Sequence, residues 1–143
     1  MSKRSKIRNP ISQVDQLGRI HLPQEIENIN YNDLQPAFSF EYVQDKYCLS
    51  NWDKKSIKRL IDKLGKLEKY KWKDILIQQI FHFKAVDRKG LKVLVPDFIT
   101  PDVTIYYIKP FGTNTPYRVF GIREGHNFKF LWFDATHEIY PGK

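Results

Sequence analysis

Two arginines, one histidine and one tyrosine near the C-terminus have side chains that could support chemistry together: Arg118, Arg123, His137 and Tyr140. Arginine can offset the charge that develops on phosphorus in a transition state. Histidine or tyrosine can move protons between a ribose 2′-hydroxyl and the leaving oxygen, and aromatic rings can stack on unpaired bases. These four residues are therefore the predicted catalytic candidates for metal-independent cleavage of RNA.

These candidates can act together only if the sheet that carries them brings them to one place. Alternation along a strand separates Arg118 from Arg123, so we expect one of the two to lie near His137 or Tyr140. A structural interpretation stays open beside this one. In it, Tyr140 is a rim residue, and Asp134 and His137 belong to the cap of a turn.

No motif of an established enzyme class accompanies the four candidates. The sequence contains no glycine-rich phosphate loop, no GxSxG and no HExxH. Its four histidines do not have the spacing of metal ligands, and the single Cys48 excludes an intrachain disulfide and a multi-thiolate zinc site. We therefore predict no metal and no cofactor.

The positive charge is concentrated in the predicted helical region, above all in its first helix. The chain has a net charge of +8, and the window from Asp53 to Asp74 supplies nine Lys or Arg against four acids, which is 9 − 4 = +5. Apolar residues recur there in steps of three and four, so one face should be buried and the rest basic. The predicted nucleic-acid-binding residues on this helix are Lys54, Lys55, Lys58, Arg59 and Lys66. Because lysine predominates, attraction to phosphates is favoured over base-specific contacts; an ordinary solvated helix face is the alternative.

The order of elements predicts an α+β fold. A strand in "AFSFEYVQDKYCLS" is followed by two helices, the second beginning near Trp72. Strands are then predicted in "LKVLV", "VTIYYIKP", "TPYRVFGIRE", "HNFKFLWFD" and "HEIYP", with "FKFLWF" central because it is apolar on both faces. This order favours an antiparallel meander sheet with the helices packed on one face.

The chain is predicted to consist of a basic, partly ordered arm, residues 1–36, and a single α+β domain, residues 37–143. The basic start "MSKRSKIRNP" is not followed by the apolar stretch of a signal peptide. Nor is there an apolar run of about 18 residues, as a membrane-spanning helix requires. We therefore expect a cytoplasmic protein with no membrane partner.

The run "PYRVFGIREGHNFKFLWFDATHEIY" resembles the closing hairpin and final segment of the RelE/ParE superfamily of small bacterial toxins, and "DKKSIKRLIDKLGKLEKY" resembles their first helix. The resemblance implies action on messenger RNA in the ribosome. It makes Arg118 and Arg123 the phosphate binders, and His137 and Tyr140 the proton-transfer groups. It also implies an acidic antitoxin as partner. ParE-like members act on a topoisomerase instead.

From these observations we predict a small basic protein that acts on RNA, in its catalytic form a RelE-like ribonuclease toxin of a toxin–antitoxin or mobile-element system. Two alternatives stay open. One is a non-catalytic nucleic-acid-binding module that uses the lysine-rich helix and binds with a steep salt dependence. The other is a protein-interaction module in which this helix or the N-terminal arm binds an acidic partner.

Overall fold

The computed structural model describes residues 29–142 and, within the first 28 residues, the backbone of two short strands. These are β1, Gln13–Val14, and β2, Ile20–His21, which pair antiparallel. The chain divides into two compact units, Met1–Asn30 and Tyr31–Lys143. Most of the predicted arm lies outside the described residues, so its boundary at residue 36 stays a prediction.

A five-stranded mixed sheet forms the centre of the second unit, in the order β3-β7-β6-β5-β4. Its strands are β3 (Ala37–Ser39), β4 (Lys84–Ala85), β5 (Ile105–Ile108), β6 (Arg118–Glu124) and β7 (Asn127–Asp134). The antiparallel meander of β5, β6 and β7 is as predicted, and β7 is central. The sheet is not purely antiparallel, because β3 pairs with β7 in parallel.

Two helices follow β3, as the apolar spacing predicts. They are α1, Lys54–Leu67, and α2, Trp72–Gln78. The Asp53 carboxylate caps α1 by accepting a hydrogen bond from the Ser56 N–H at 3.2 Å, which satisfies one of the free donors at the helix start. Within the described part of the chain, neither helix has the length and apolar character needed to cross a bilayer.

The sheet is buried on both faces by different kinds of structure. On one side, here called the helix face, leucines of α1 and Trp72 of α2 pack against Phe128, Phe130 and Phe133. The opposite side, here called the loop face, is covered by the segment 86–103 and by the C-terminal residues Ile139 and Tyr140. The α+β prediction with helices on one face is confirmed. The second face is covered by loops, so it is not the open surface that a sheet-borne site would require.

A β-bulge explains how the aromatic run of β7 supplies both cores. Phe120 pairs with Trp132 and the next residue, Gly121, pairs with Phe130, so Leu131 is the extra residue. As a result, Leu131 and Trp132 both belong to the loop-face core, while Phe130 belongs to the helix-face core. The glycine is required at this point, because a Cβ on Gly121 would lie 2.5 Å from a backbone carbonyl oxygen of β7.

Two predicted strands are not strands. "LKVLV" and "HEIYP" have no regular structure, although the Lys92 N–H donates to the Ile139 carbonyl at 2.7 Å and links them. A single such bond does not make a ladder. The apolar residues that suggested strands serve instead to cover the loop face. The first predicted strand is also shorter than "AFSFEYVQDKYCLS", because after Ser39 the chain enters turns.

Candidate functional site

The four predicted catalytic residues do not meet at one point. Arg118 and Arg123 are both on β6 but on opposite faces of the sheet. Arg118 lies near Tyr107 of the loop-face core, whereas the Arg123 guanidinium lies 4.3 Å from the centre of the Trp72 ring on the helix face. Because the sheet separates them, one phosphate cannot contact both. The expected use of both arginines as binders of the same phosphate is therefore not observed.

Arg118 is buried, with 3% of its surface exposed. Its Nη1 donates to the carbonyls of Thr115 at 2.7 Å and Tyr117 at 2.8 Å, and its Nε is buried without a hydrogen-bond partner. Burial lowers the pKa of Arg118, while the nearby Tyr107 and Asp134 act in the opposite direction. An arginine nevertheless stays protonated in a protein. Its main visible role is to hold the turn that leads into β6.

Tyr140 is also buried, and its hydroxyl is occupied. The hydroxyl oxygen accepts a hydrogen bond from the Asp87 N–H at 2.8 Å. The ring packs edge-on against Tyr107 at a centroid distance of 5.5 Å and closely covers Gly90, where a Cβ would lie 2.7 Å from a Tyr140 ring carbon. Tyr140 therefore fastens the loop segment to the sheet.

His137 lies in a turn that Asp134 caps. The fully buried Asp134 carboxylate accepts hydrogen bonds from the Thr136 N–H at 3.0 Å, the Thr136 hydroxyl at 3.2 Å and the Ile139 N–H at 2.9 Å. His137 has a left-handed backbone with φ of 60°, and its Nε2 is buried without a hydrogen-bond partner. In the structural interpretation, the prediction that Asp134 caps a turn is confirmed, but the prediction that Tyr140 is a rim residue is wrong, because Tyr140 is buried. The proton-transfer role of His137 stays a prediction.

The basic residues predicted on α1 have the opposite character, because all five are exposed: Lys54, Lys55, Lys58, Arg59 and Lys66. Helical spacing arranges them in two neighbouring rows. One row contains Lys55, Arg59 and Lys63. The other contains Lys54, Lys58 and Lys66, with Asp62 between the last two. Among the described residues, the ion pair on α1 is Lys58 with Asp62 at 3.6 Å, so most of this charge is available to an external anion.

The charge at the start of α1 is not there to stabilise the helix. Lys54 and Lys55 are its first two residues, and its first turn contains no acid. The N-terminal end of a helix dipole favours negative side chains and disfavours positive ones, by about 0.3–1 kcal/mol for each charge at low ionic strength. These two lysines therefore oppose the electrostatics of their own helix.

Two half-buried aromatic rings border the row of Lys55, Arg59 and Lys63. The Arg59 guanidinium lies 4.1 Å from the centre of the Phe111 ring, and the Lys63 ammonium lies 6.0 Å from the centre of the Phe81 ring. Both distances are typical of cation–π pairs. Phe81 and Phe111 are not among the residues that the sequence predicts for a site. The sequence contains no periodic pattern that predicts their place beside α1, because each residue lies outside that helix in an irregular segment.

The two clefts described for this surface collect none of the predicted catalytic groups. Two open clefts of about 410 and 340 Å³ share Lys46 in their walls, but Arg118, Arg123, His137 and Tyr140 line neither of them. The described residues also contain no cluster of three His, Cys, Asp or Glu side chains that could hold a metal ion.

No family model matches the chain, and searches of curated proteins and of solved structures find no match either. The likeness to the RelE/ParE superfamily therefore stays a prediction from sequence patterns.

Proposed function

We propose that this protein binds RNA through the basic face of α1. The observation that supports the proposal is a contrast in exposure. The five basic candidates on α1 are exposed and most form no ion pair among the described residues, whereas Arg118 and Tyr140 are buried and already hold structural contacts. A phosphate backbone can reach the first group without any rearrangement of the fold.

The chemistry of the face suits a polyanion. Lysine is a compact, mobile charge that contacts phosphates without a fixed geometry, and Arg59 is the single arginine on α1. Each phosphate neutralised releases counterions, so the logarithm of the affinity should fall with the logarithm of salt by about 0.7 for each contact to a single strand. About four or five contacts would thus give a slope near −3.

The catalytic form of the proposal, a RelE-like ribonuclease toxin, has less support from the positions of its candidate residues. Arg123 lies on the helix face and cannot join the other three candidates. A site would have to be made from Arg118, His137 and Tyr140 alone, although two of these are buried. We therefore propose RNA binding in preference to RNA cleavage. The test below distinguishes the two.

The test compares two variants with equal changes of net charge. The first, Lys54→Glu/Lys55→Glu/Lys66→Glu, changes three exposed residues of α1 that form no ion pair among the described residues. We would measure the affinity for a labelled single-stranded RNA oligonucleotide by fluorescence anisotropy over a series of salt concentrations. We expect a loss of more than about tenfold at low salt and a shallower slope, because three phosphate contacts are lost.

The matched control, Lys46→Glu/Lys89→Glu/Lys92→Glu, reverses three exposed charges outside α1. It should retain most of the affinity. Equal losses in both variants would contradict a specific role of α1 and show that net charge alone attracts RNA. Absence of RNA binding at low salt, together with capture of an acidic protein, would favour the protein-interaction alternative. Cleavage of the RNA by the wild type, abolished by His137→Ala, would support the ribonuclease.

A further inference from the structure

We propose that the RNA bound by this protein is single-stranded, and that two of its bases stack on Phe81 and Phe111 at the border of α1. This inference rests on the proposed function and adds to it the form of the RNA and the residues that distinguish that form. The observation that supports it is that each ring is half-buried and has a basic side chain of α1 beside it. Lys63 lies beside Phe81, and Arg59 lies beside Phe111.

The Phe111 ring is held by two aromatic neighbours. It packs against Trp52 at a centroid distance of 6.1 Å and against Tyr117 at 5.0 Å, both at steep angles. The guanidinium of the exposed Arg59 lies over this ring, 4.1 Å from its centre. A base could take the place of the guanidinium on the ring, while Arg59 turns to the adjacent phosphate. Aromatic rings beside basic side chains are the combination that proteins use to bind unpaired bases and their phosphates.

The Phe81 ring is positioned by an unusual backbone. Phe81 has φ of 54° and ψ of 28°, and Gln79 and His82 also have positive φ values of 51° and 58°. Residues other than glycine rarely adopt this backbone conformation. Residues strained in this way concentrate at sites that need a fixed geometry. The Phe81 carbonyl also accepts a hydrogen bond from the Lys109 N–H at 2.8 Å, which fixes the loop to the end of β5.

The two rings follow the same row of charges. Arg59 and Lys63 are four residues apart on α1, so they lie on neighbouring turns about 6 Å apart along the axis. Lys55 continues the row by one more turn. The structure therefore places two ring–cation pairs side by side and in line with a third charge. Each nucleotide of a single strand carries one backbone phosphate and one base, so a strand laid along this row can offer a phosphate to each cation and a base to each ring.

The rings, unlike the lysines, should distinguish a single strand from a duplex. In a duplex the base faces are already stacked on one another, whereas an unpaired base exposes both faces to an aromatic side chain. The phosphate contacts of α1 are available to either form. We therefore expect the protein to prefer single-stranded RNA over a duplex of the same sequence by at least about tenfold.

The closing experiment removes the rings without changing the charge. Phe81→Leu/Phe111→Leu should lower the affinity for single-stranded RNA by about tenfold, with the salt slope and the duplex affinity unchanged. The matched control is Phe98→Leu, at an exposed ring packed against Tyr42 on the opposite side of the sheet, and it should bind as the wild type does. Phe81→Tyr/Phe111→Tyr retains the rings and should retain the affinity, which separates a stacking role from a loss of core packing.

Equal affinity of the wild type for single strand and duplex would overturn the inference. So would wild-type affinity in a folded Phe81→Leu/Phe111→Leu variant. In both cases a loss of binding in the α1 charge variant would leave the proposed function standing. If the wild type binds neither form of RNA at low salt, the proposed function and this inference are both wrong.

Discussion

Arg118 and Arg123 lie on the same strand with their guanidinium groups on opposite faces of the sheet. Each already has a local role: Arg118 holds the carbonyls of Thr115 and Tyr117, and Arg123 covers the Trp72 ring while its Nε donates to the Gly125 carbonyl at 2.8 Å. Neither is presented to solvent as an isolated binding group. Because of this separation, the exposed charge of α1 is a better candidate for function than the sheet.

The variant Lys54→Glu/Lys55→Glu should separate RNA binding from stability. We expect it to raise the free energy of unfolding by about 0.3–1 kcal/mol for each residue at low salt, because acids at a helix start suit the dipole. The new glutamates also gain the favourable i, i+4 partners Lys58 and Arg59. RNA affinity should fall in the same variant. Urea denaturation and fluorescence anisotropy would measure the two effects, and a loss of stability would contradict the electrostatic argument.

Two glycine-to-alanine substitutions should have opposite effects. Gly65 is exposed inside α1, and a Cβ added there would meet no atom within 4 Å, so Gly65→Ala should stabilise the fold by about 1 kcal/mol. Gly121→Ala would put a Cβ 2.5 Å from the Lys129 carbonyl oxygen and 2.8 Å from the Phe128 ring. Overpacking of this kind costs about 1–3 kcal/mol or more. Thermal unfolding checks both changes, and a neutral Gly121→Ala would show that the bulge can relax.

Asp134 should be among the most important polar residues for stability. Its substitution by alanine removes three accepted hydrogen bonds and leaves the buried Ile139 N–H without its partner. We expect Asp134→Ala to lower the free energy of unfolding by about 3 kcal/mol, since bonds to a charged group contribute about 1.5–3 kcal/mol each and are not additive. The control is Asp97→Ala at an exposed position, which should change little. Chemical denaturation would measure the free energy of unfolding of both variants, and equal values for the two would contradict the prediction.

Tyr47 should make a contribution to stability that disappears at high pH. Its hydroxyl donates to the Glu138 carboxylate at 2.7 Å, and this bond raises the pKa of Tyr47 from 10.0 to about 12. Because the folded state holds the proton more tightly, the contribution is complete below pH 10 and is lost as the pH rises towards 12. Tyr47→Phe should remove about 0.5 kcal/mol at neutral pH, since the bond is exposed.

The same variant should show a flatter decline of stability at alkaline pH than the wild type. Urea denaturation between neutral pH and pH 12 measures this, with an ultraviolet titration of the tyrosines as a second readout. If the two proteins lose stability in parallel over this range, the Tyr47–Glu138 bond does not carry the pH dependence.

Much of the fold was predictable because it depends on local patterns. The apolar steps of α1 and the alternation along β6 reflect periods of about 3.6 and 2 residues, which are visible in any window of the chain. The turn before β7 was visible in Gly125. The parallel partner of β7, strand β3, was not predictable, because nothing in three residues indicates which edge of a distant strand they will join.

The two parts of the predicted site, the basic helix and the sheet residues, were predictable to different degrees. The charge of α1 could be located from sequence, because a basic residue on a helix turned away from the apolar stripe must be exposed. The burial of Tyr140 could not, since it depends on a loop of residues 86–103 that folds over the sheet and contacts Tyr140 through Asp87 and Gly90. That loop carries scattered apolar residues, but their spacing has no period that predicts where the loop packs.

The amino-acid sequence by itself determined the secondary structure of α1 and of the β5–β7 meander, and the concentration of positive charge on one helix. These properties follow from neighbours within a few positions. Only the tertiary structure decided that Arg118 and Arg123 are separated, and that Phe81 and Phe111 lie beside the basic row of α1. Such contacts join residues far apart in the chain, and they exist only once the two cores have packed around the sheet.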